Sequence, residues 1–135
     1  MKNLHLISRI AIYLLALVLF AFGVFHFLYP RDLLVYVPQI LPGGIIWVYA
    51  VGASFILVAL SFLTNRMVKF AGYLLAILLG IFVIFIHIPN YLYAGDKEMK
   101  QMAFINLLKD TAIACFALHI AAGAHHQKLH LEESD

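Results

Sequence analysis

Charged residues fall in a few narrow zones of this chain, and the stretches between them are apolar. No Asp, Glu, Lys or Arg lies between Arg9 and Arg31, between Asp32 and Arg66, between Lys69 and Asp96, or between Asp110 and Lys128. A helix needs about 20 mostly apolar residues to cross a bilayer. The second gap is longer than that, and Pro38, Pro42, Gly43 and Gly44 break its first half. The pattern predicts four spans at 10–29, 45–63, 70–88 and 103–123. Backbone in hydrocarbon must satisfy its own hydrogen bonds, so each span is expected to be helical. No alternating strand pattern competes. The expected fold is all-α: one membrane domain over 1–135, built as a four-helix bundle. Residues 1–8 and the apolar run after them also resemble a signal peptide, with Ala21-Phe22-Gly23 as a passable cleavage site. That run exceeds the h-region length of roughly 7–15 residues and more spans follow, so it is read as a retained first helix.

Composition narrows the class. Apolar residues make up 64% of the chain and charged residues 12%, against about 45–50% and 25% in soluble domains. So few charges do not cover the surface of a small soluble globule. Disordered chains are poor in apolar residues, which excludes disorder. Cys115 is the only cysteine, so there is no disulfide scaffold; by default it is a small buried hydrophobe. The net charge of +2, with no basic run, leaves no nucleic-acid footprint.

Lys and Arg in the short loops set orientation. One side holds Lys2, Arg9, Arg66, Lys69 and Lys128; the other holds Arg31, Lys97 and Lys100. This bias places both termini in the cytoplasm. Tyr29, Tyr36, Trp47, Tyr49, Tyr91 and Tyr93 collect near the outer boundary, as headgroup anchors do. The outer loop 31–44 is too apolar for water and too short to span. It reads either as an interfacial or re-entrant segment over the outer mouth, or as a greasy loop lying on lipid. The tail 124–135 has no apolar period and is expected to fray. Its His125, His126 and His130 read as solvated, and no metal site is expected.

Ionisable groups inside spans are costly and mark functional candidates. Here they are His26, His87, Lys109, Asp110 and His119, with Asn106 beside them. At about 1.5 Å per helical residue, His26, His87, Asn106 and Asp110 fall in the outer half, and His119 on the inner side. His119 alone reads as a packed or lipid-boundary histidine. Gly72, Ala76 and Gly80 form a small-residue stripe at spacing four, with His87 seven residues further on the same face. Asn106, Asp110, Ala114, Ala117 and Ala121 share one face of the fourth span. In the second span the corresponding face is Ala50, Ser54, Leu57 and Ser61. Lys109 and Asp110 point about 100° apart, so Asp110 is expected to face the interior and Lys109 to snorkel outward. Two readings stand for the cluster. Asp110 pairs with His26 or His87 to fix helix register, or the group forms a ligand or proton-handling site. A faint internal echo accompanies these features: Tyr13-Leu14-Leu15-Ala16 returns as Tyr73-Leu74-Leu75-Ala76, each followed by a histidine and a proline.

Several of these features together resemble the DoxX family of small four-helix membrane proteins. They are an Arg before the first span, Gly23-Val24-Phe25-His26 closed by Pro30, and the Pro-rich outer loop. The basic turn Asn65-Arg66, His87 near Pro89, and Asn106-Leu107-Leu108-Lys109-Asp110 complete the set. The resemblance covers about 9–123. It implies a bacterial inner-membrane protein, associated in some relatives with thiosulfate:quinone oxidation or with membrane oxidoreductase complexes. On that pattern His26, His87, Lys109 and Asp110 are the functional positions.

The leading expectation is a redox-associated subunit with a quinone-like or other apolar ligand in the outer half. His26, His87, Asn106, Lys109 and Asp110 would handle its polar atoms and protons. Phe22, Phe25, Trp47, Phe82 and Phe85 would wall the ring. No redox centre is evident in the chain, so electrons would come from a partner. The alternative is a non-catalytic accessory or assembly protein that binds another membrane protein or a second copy. A b-type haem between His26 and His87 is a weaker reading, because one histidine on each of two helices is commonplace. Transport is weaker still, because four short helices enclose little volume.

Overall fold

A computed structural model describes residues 2–132 of the chain, and side chains over 3–124. The described residues are helical throughout, without a strand. Helix α1 runs Lys2–Leu28 and ends before Pro30, which opens the four-residue helix α2, Pro30–Leu33. A 3₁₀ turn, Leu34–Tyr36, and irregular backbone lead to α3, Ile45–Thr64. Helix α4 is Val68–Phe82, and a π turn, Val83–His87, joins it to α5, Ile88–Tyr93. Helix α6 is Lys97–Glu132. Four stretches are long and apolar enough to cross a membrane: Asn3–Leu28, Ile45–Thr64, Val68–Tyr93 and Lys97–Ala124. All four are longer than or equal to the expected spans, because the apolar pattern does not count polar turns that prolong a helix at either end.

The chain folds as two antiparallel pairs. Helix α1 lies along α3, α4 lies along α6, and α3 joins the pairs through a smaller contact with α4. The fourth seam, between α1 and α6, is loose. Ala16 and Leu19 of α1, Phe55, Val58 and Phe62 of α3, Leu75 and Leu79 of α4, and Ala117 and Ile120 of α6 form one continuous core.

Both tight pairs depend on glycine. A Cβ on Gly23 would stand 2.8 Å from the Gly52 carbonyl oxygen, and one on Gly52 would stand 2.6 Å from the His26 Cβ. In the other pair, a Cβ on Gly72 would lie 2.8 Å from the Ala117 carbonyl oxygen. Small residues let the backbones approach closely. Gly80 extends the stripe in sequence only: a Cβ there would meet nothing within 4 Å.

In α3 the expected inward face is corrected. Leu57 is exposed, and the buried residues are Val48, Gly52, Phe55, Val58, Ala59 and Phe62. The Ser54 hydroxyl donates to the Ala50 carbonyl at 2.9 Å. A serine satisfied by its own helix does not need an interior partner, and bulky side chains fill the core better.

Helices α3 and α4 are joined by a tight turn at 65–67. Asn65 and Met67 both adopt φ of 54°, and the Arg66 N–H returns to the Ser61 carbonyl at 3.1 Å. Helix α6 continues to Glu132, beyond the boundary expected at 123, because no Gly-Pro punctuation stops it and each added residue completes a hydrogen bond. Residues 133–135 and the side chains of His125, His126 and His130 lie outside the described residues. Cys115, expected to be buried, is exposed on the surface of α6. The internal echo keeps its faces: Tyr13 and Tyr73 are exposed, while Ala16 and Ala76 are core residues.

Candidate functional site

The π turn shapes the site. Pro89 lacks an N–H, and its ring collides with the carbonyl four residues back in a regular helix. One wide turn just before it relieves that conflict. Within the wide turn the Ile88 N–H reaches the Val83 carbonyl, a spacing of five. The turn holds one residue more than an α-turn, so everything after it is rotated by about 100°. His26 stands thirteen residues after Tyr13, and His87 fourteen after Tyr73. The π turn absorbs that extra residue and leaves the two histidines in equivalent phase on their helices.

His87, the last residue of the π turn, faces α6. Its Nε2–H donates to Asp110 Oδ2 at 2.7 Å. His87 is 8% exposed and Asp110 7%, and they are the only buried polar side chains among the described residues.

Asp110 has a second neighbour. Lys109 Nζ lies 3.7 Å from Asp110 Oδ1 and 3.5 Å from Asn106 Oδ1. Adjacent helical residues diverge at Cβ, but the four-carbon stem of Lys109 bends back. The Lys109 ammonium also lies toward α1, 5.6 Å above the centre of the Phe22 ring. A cation over an aromatic face is attracted by the ring quadrupole. This contact bridges the loose α1–α6 seam, and the Lys109 side chain stays 46% exposed within it.

From Phe22 the cluster continues inward. Phe22 packs on Phe55 with centroids 6.3 Å apart, and Phe55 meets Phe82 at 6.4 Å. The edge of His26 meets the same Phe55 ring at 5.4 Å. His26 Nδ1–H donates to the Phe22 carbonyl at 2.6 Å, so its hydrogen bond stays within α1 and not with Asp110. The neutral ring in this tautomer carries its lone pair on Nε2. Sequence reasoning does not single out Phe55, the hub of these contacts. Its signal is present, since Gly52, Phe55, Val58 and Phe62 recur at helical spacing.

The structure thus brings together His87, Asp110, Lys109, Asn106, Phe22 and Phe82, with His26 attached through Phe55. It leaves three expected wall residues outside. Phe25 packs on Tyr29 at 4.9 Å. The Trp47 indole N–H donates to the Pro42 carbonyl at 2.9 Å and ties down the loop. Phe85 is exposed. His119 is also exposed. It lies nine residues along α6 from Asp110, about two and a half turns of helix.

A family model described as a domain of unknown function (DUF8561) matches residues 15–121. The chain belongs to the DUF8561 family. The matched stretch of this DUF8561 protein covers most of both helix pairs and every residue of the polar cluster. No curated protein and no solved structure matches it, and nothing in these comparisons indicates the DoxX family.

Proposed function

We propose that this DUF8561 protein spans the bacterial inner membrane with its four long helices and that its polar cluster holds the head of an apolar, quinone-like ligand. The arginines and lysines at the 65–67 turn end, Arg9, Arg66 and Lys69, favour a cytoplasmic placement of both termini. The observation that carries the ligand reading is the buried His87–Asp110 bond, flanked by a partly exposed lysine inside an apolar helix. An ionised lysine at that depth is costly unless something polar covers it. Asp110 and the Phe22 ring cover part of it, and a ligand carbonyl accepting from Lys109 would cover more.

The residues suit the chemistry. Lys109 offers ammonium donors to a carbonyl oxygen. The hydrogen bond between His87 and Asp110, 2.7 Å long, gives a proton a path from one to the other. The Phe22, Phe55 and Phe82 rings offer a flat apolar wall. A quinone, when bound, would supply the two-electron chemistry, and the electrons would come from a partner protein. The loose α1–α6 seam gives a bilayer-borne ligand a lateral approach. This reading agrees with what the DoxX resemblance implies, a subunit associated with quinone-linked oxidation.

Decylubiquinone titrated into the protein in lipid nanodiscs tests the proposal calorimetrically. The wild type should bind, and Asp110→Asn and Lys109→Met should each weaken binding by about tenfold, the effect of one charged hydrogen bond. Phe85→Leu should bind like the wild type. Absence of binding, or equal affinity in all four proteins, rejects the site.

A second reading, an accessory protein that packs against another membrane protein, is favoured by the bare outer faces. A third or less of each span window is buried within the chain. A stoichiometric membrane partner recovered in mild detergent, without bound quinone, would support it.

A further inference from the structure

Residues 31–44 line an open, shallow concavity of about 520 Å³ at the end of the helices opposite the 65–67 turn. Arg31, Leu34, Val35, Val37, Pro38 and Leu41 contribute most of its wall. Two properties of this wall are unusual together. Arg31 supplies its only charge, and among the described residues neither Arg31 nor the adjacent Asp32 has an ion-pair partner. The apolar side chains around it are also uncovered: Val35 is 79% exposed and Ile40 90%.

Water suits the guanidinium but not the apolar wall; hydrocarbon suits the wall but not the guanidinium. The headgroup boundary of a bilayer suits both. Three aromatic residues lie near this level. Tyr29 closes α1, Tyr36 lies in the 3₁₀ turn, and Trp47 opens α3. Such residues settle at membrane interfaces. A planar guanidinium binds phosphate oxygens in pairs.

We propose that this concavity is a phospholipid site: Arg31 takes the headgroup phosphate, and Leu34, Val35, Val37 and Leu41 take the first carbons of the acyl chains. The site prefers an anionic lipid, phosphatidylglycerol, over phosphatidylcholine, whose own choline cation opposes the unpaired positive charge of Arg31. The inference rests on the membrane-spanning reading above and is independent of the quinone-like ligand. It makes the loop a clamp on the outer leaflet, holding the ends of α1 and α3 at one depth.

Trp47 is the single tryptophan of the chain, and its backbone N–H donates to the carbonyl of Gly44, a residue lining the concavity, at 3.1 Å. Its fluorescence therefore reports which lipid is near. The full-length protein is placed in vesicles of mixed phosphatidylglycerol and phosphatidylcholine, with bromine on the acyl chains of one lipid or the other at equal mole fraction. Brominated phosphatidylglycerol should quench Trp47 with an apparent affinity about fivefold higher than brominated phosphatidylcholine, as expected for one basic residue at an anionic surface. Arg31→Gln should abolish the preference. Val35→Glu, at a position too exposed to disturb folding, should abolish it as well. A Lys97→Gln/Lys100→Gln variant should retain it, and added inorganic phosphate should not change it.

Equal quenching by the two lipids in the wild type overturns the site and leaves the spanning helices intact. So does a preference that survives both Arg31→Gln and Val35→Glu, or one that disappears with Lys97 and Lys100. No quenching by either lipid removes Trp47 from the bilayer and overturns the membrane-spanning reading itself.

Discussion

Gly52→Ala adds one methyl group where α1 and α3 cross. An added Cβ would stand 2.6 Å from the His26 Cβ and 3.1 Å from the Gly23 carbonyl oxygen. Ordinary carbon contacts lie at about 3.5–4.0 Å, so the helices must separate by roughly 1 Å. The conflict cannot relax by rotamer change, because a Cβ is fixed to its backbone. A gap of that size forfeits a quarter to a half of each contact well along the seam. Overpacking of this kind costs about 1–3 kcal/mol. Better helix propensity returns at most about 1 kcal/mol.

Gly80→Ala is the matched control, since nothing lies within 4 Å of its added Cβ. The same propensity gain applies there without a collision. Gly52→Ala should therefore be less stable than Gly80→Ala by about 2 kcal/mol, the overpacking cost that only Gly52 incurs. Unfolding by SDS in mixed micelles, followed by Trp47 fluorescence, measures the difference. The same shift in midpoint for the two variants, or a more stable Gly52→Ala protein, would refute the close crossing.

Two further predictions concern the polar cluster. Asp110→Ala strands the buried His87 ring and should cost about 1–3 kcal/mol, whereas replacing both partners by apolar residues, as in His87→Leu/Asp110→Leu, should recover most of that loss; the two midpoints in the same titration decide it. Pro89→Ala removes the cause of the π turn. The turn should close to regular α-helix, rotate His87 by about 100° away from Asp110, and reduce the coupling of a His87/Asp110 double-mutant cycle to near zero; an undiminished coupling would show that Pro89 does not hold the turn.

The charge-free gaps, with Pro38, Pro42, Gly43 and Gly44 breaking the longest of them, determined where the four long helices lie. The physical reason is local: a segment without charges and with enough length hides its backbone polar groups best by helix formation, whatever its neighbours do. The burial of Asp110 was legible on the same grounds, because it shares a face with Asn106, Ala114, Ala117 and Ala121.

Which histidine meets Asp110 was not legible. That depends on which helix packs along α6: α4 does so closely and α1 does not, and no local pattern registers that choice. The direction of Lys109 was hidden for a related reason. Cβ geometry points it away from Asp110, and only the arrival of Phe22 from α1 gives the ammonium somewhere to go. The inward face of α3 was misplaced because a serine looks interior by polarity, while its hydroxyl is satisfied within its own helix. Helix positions follow from interactions within four residues along the chain. The site depends on contacts between residues twenty to ninety positions apart, and those exist only once the two helix pairs have packed.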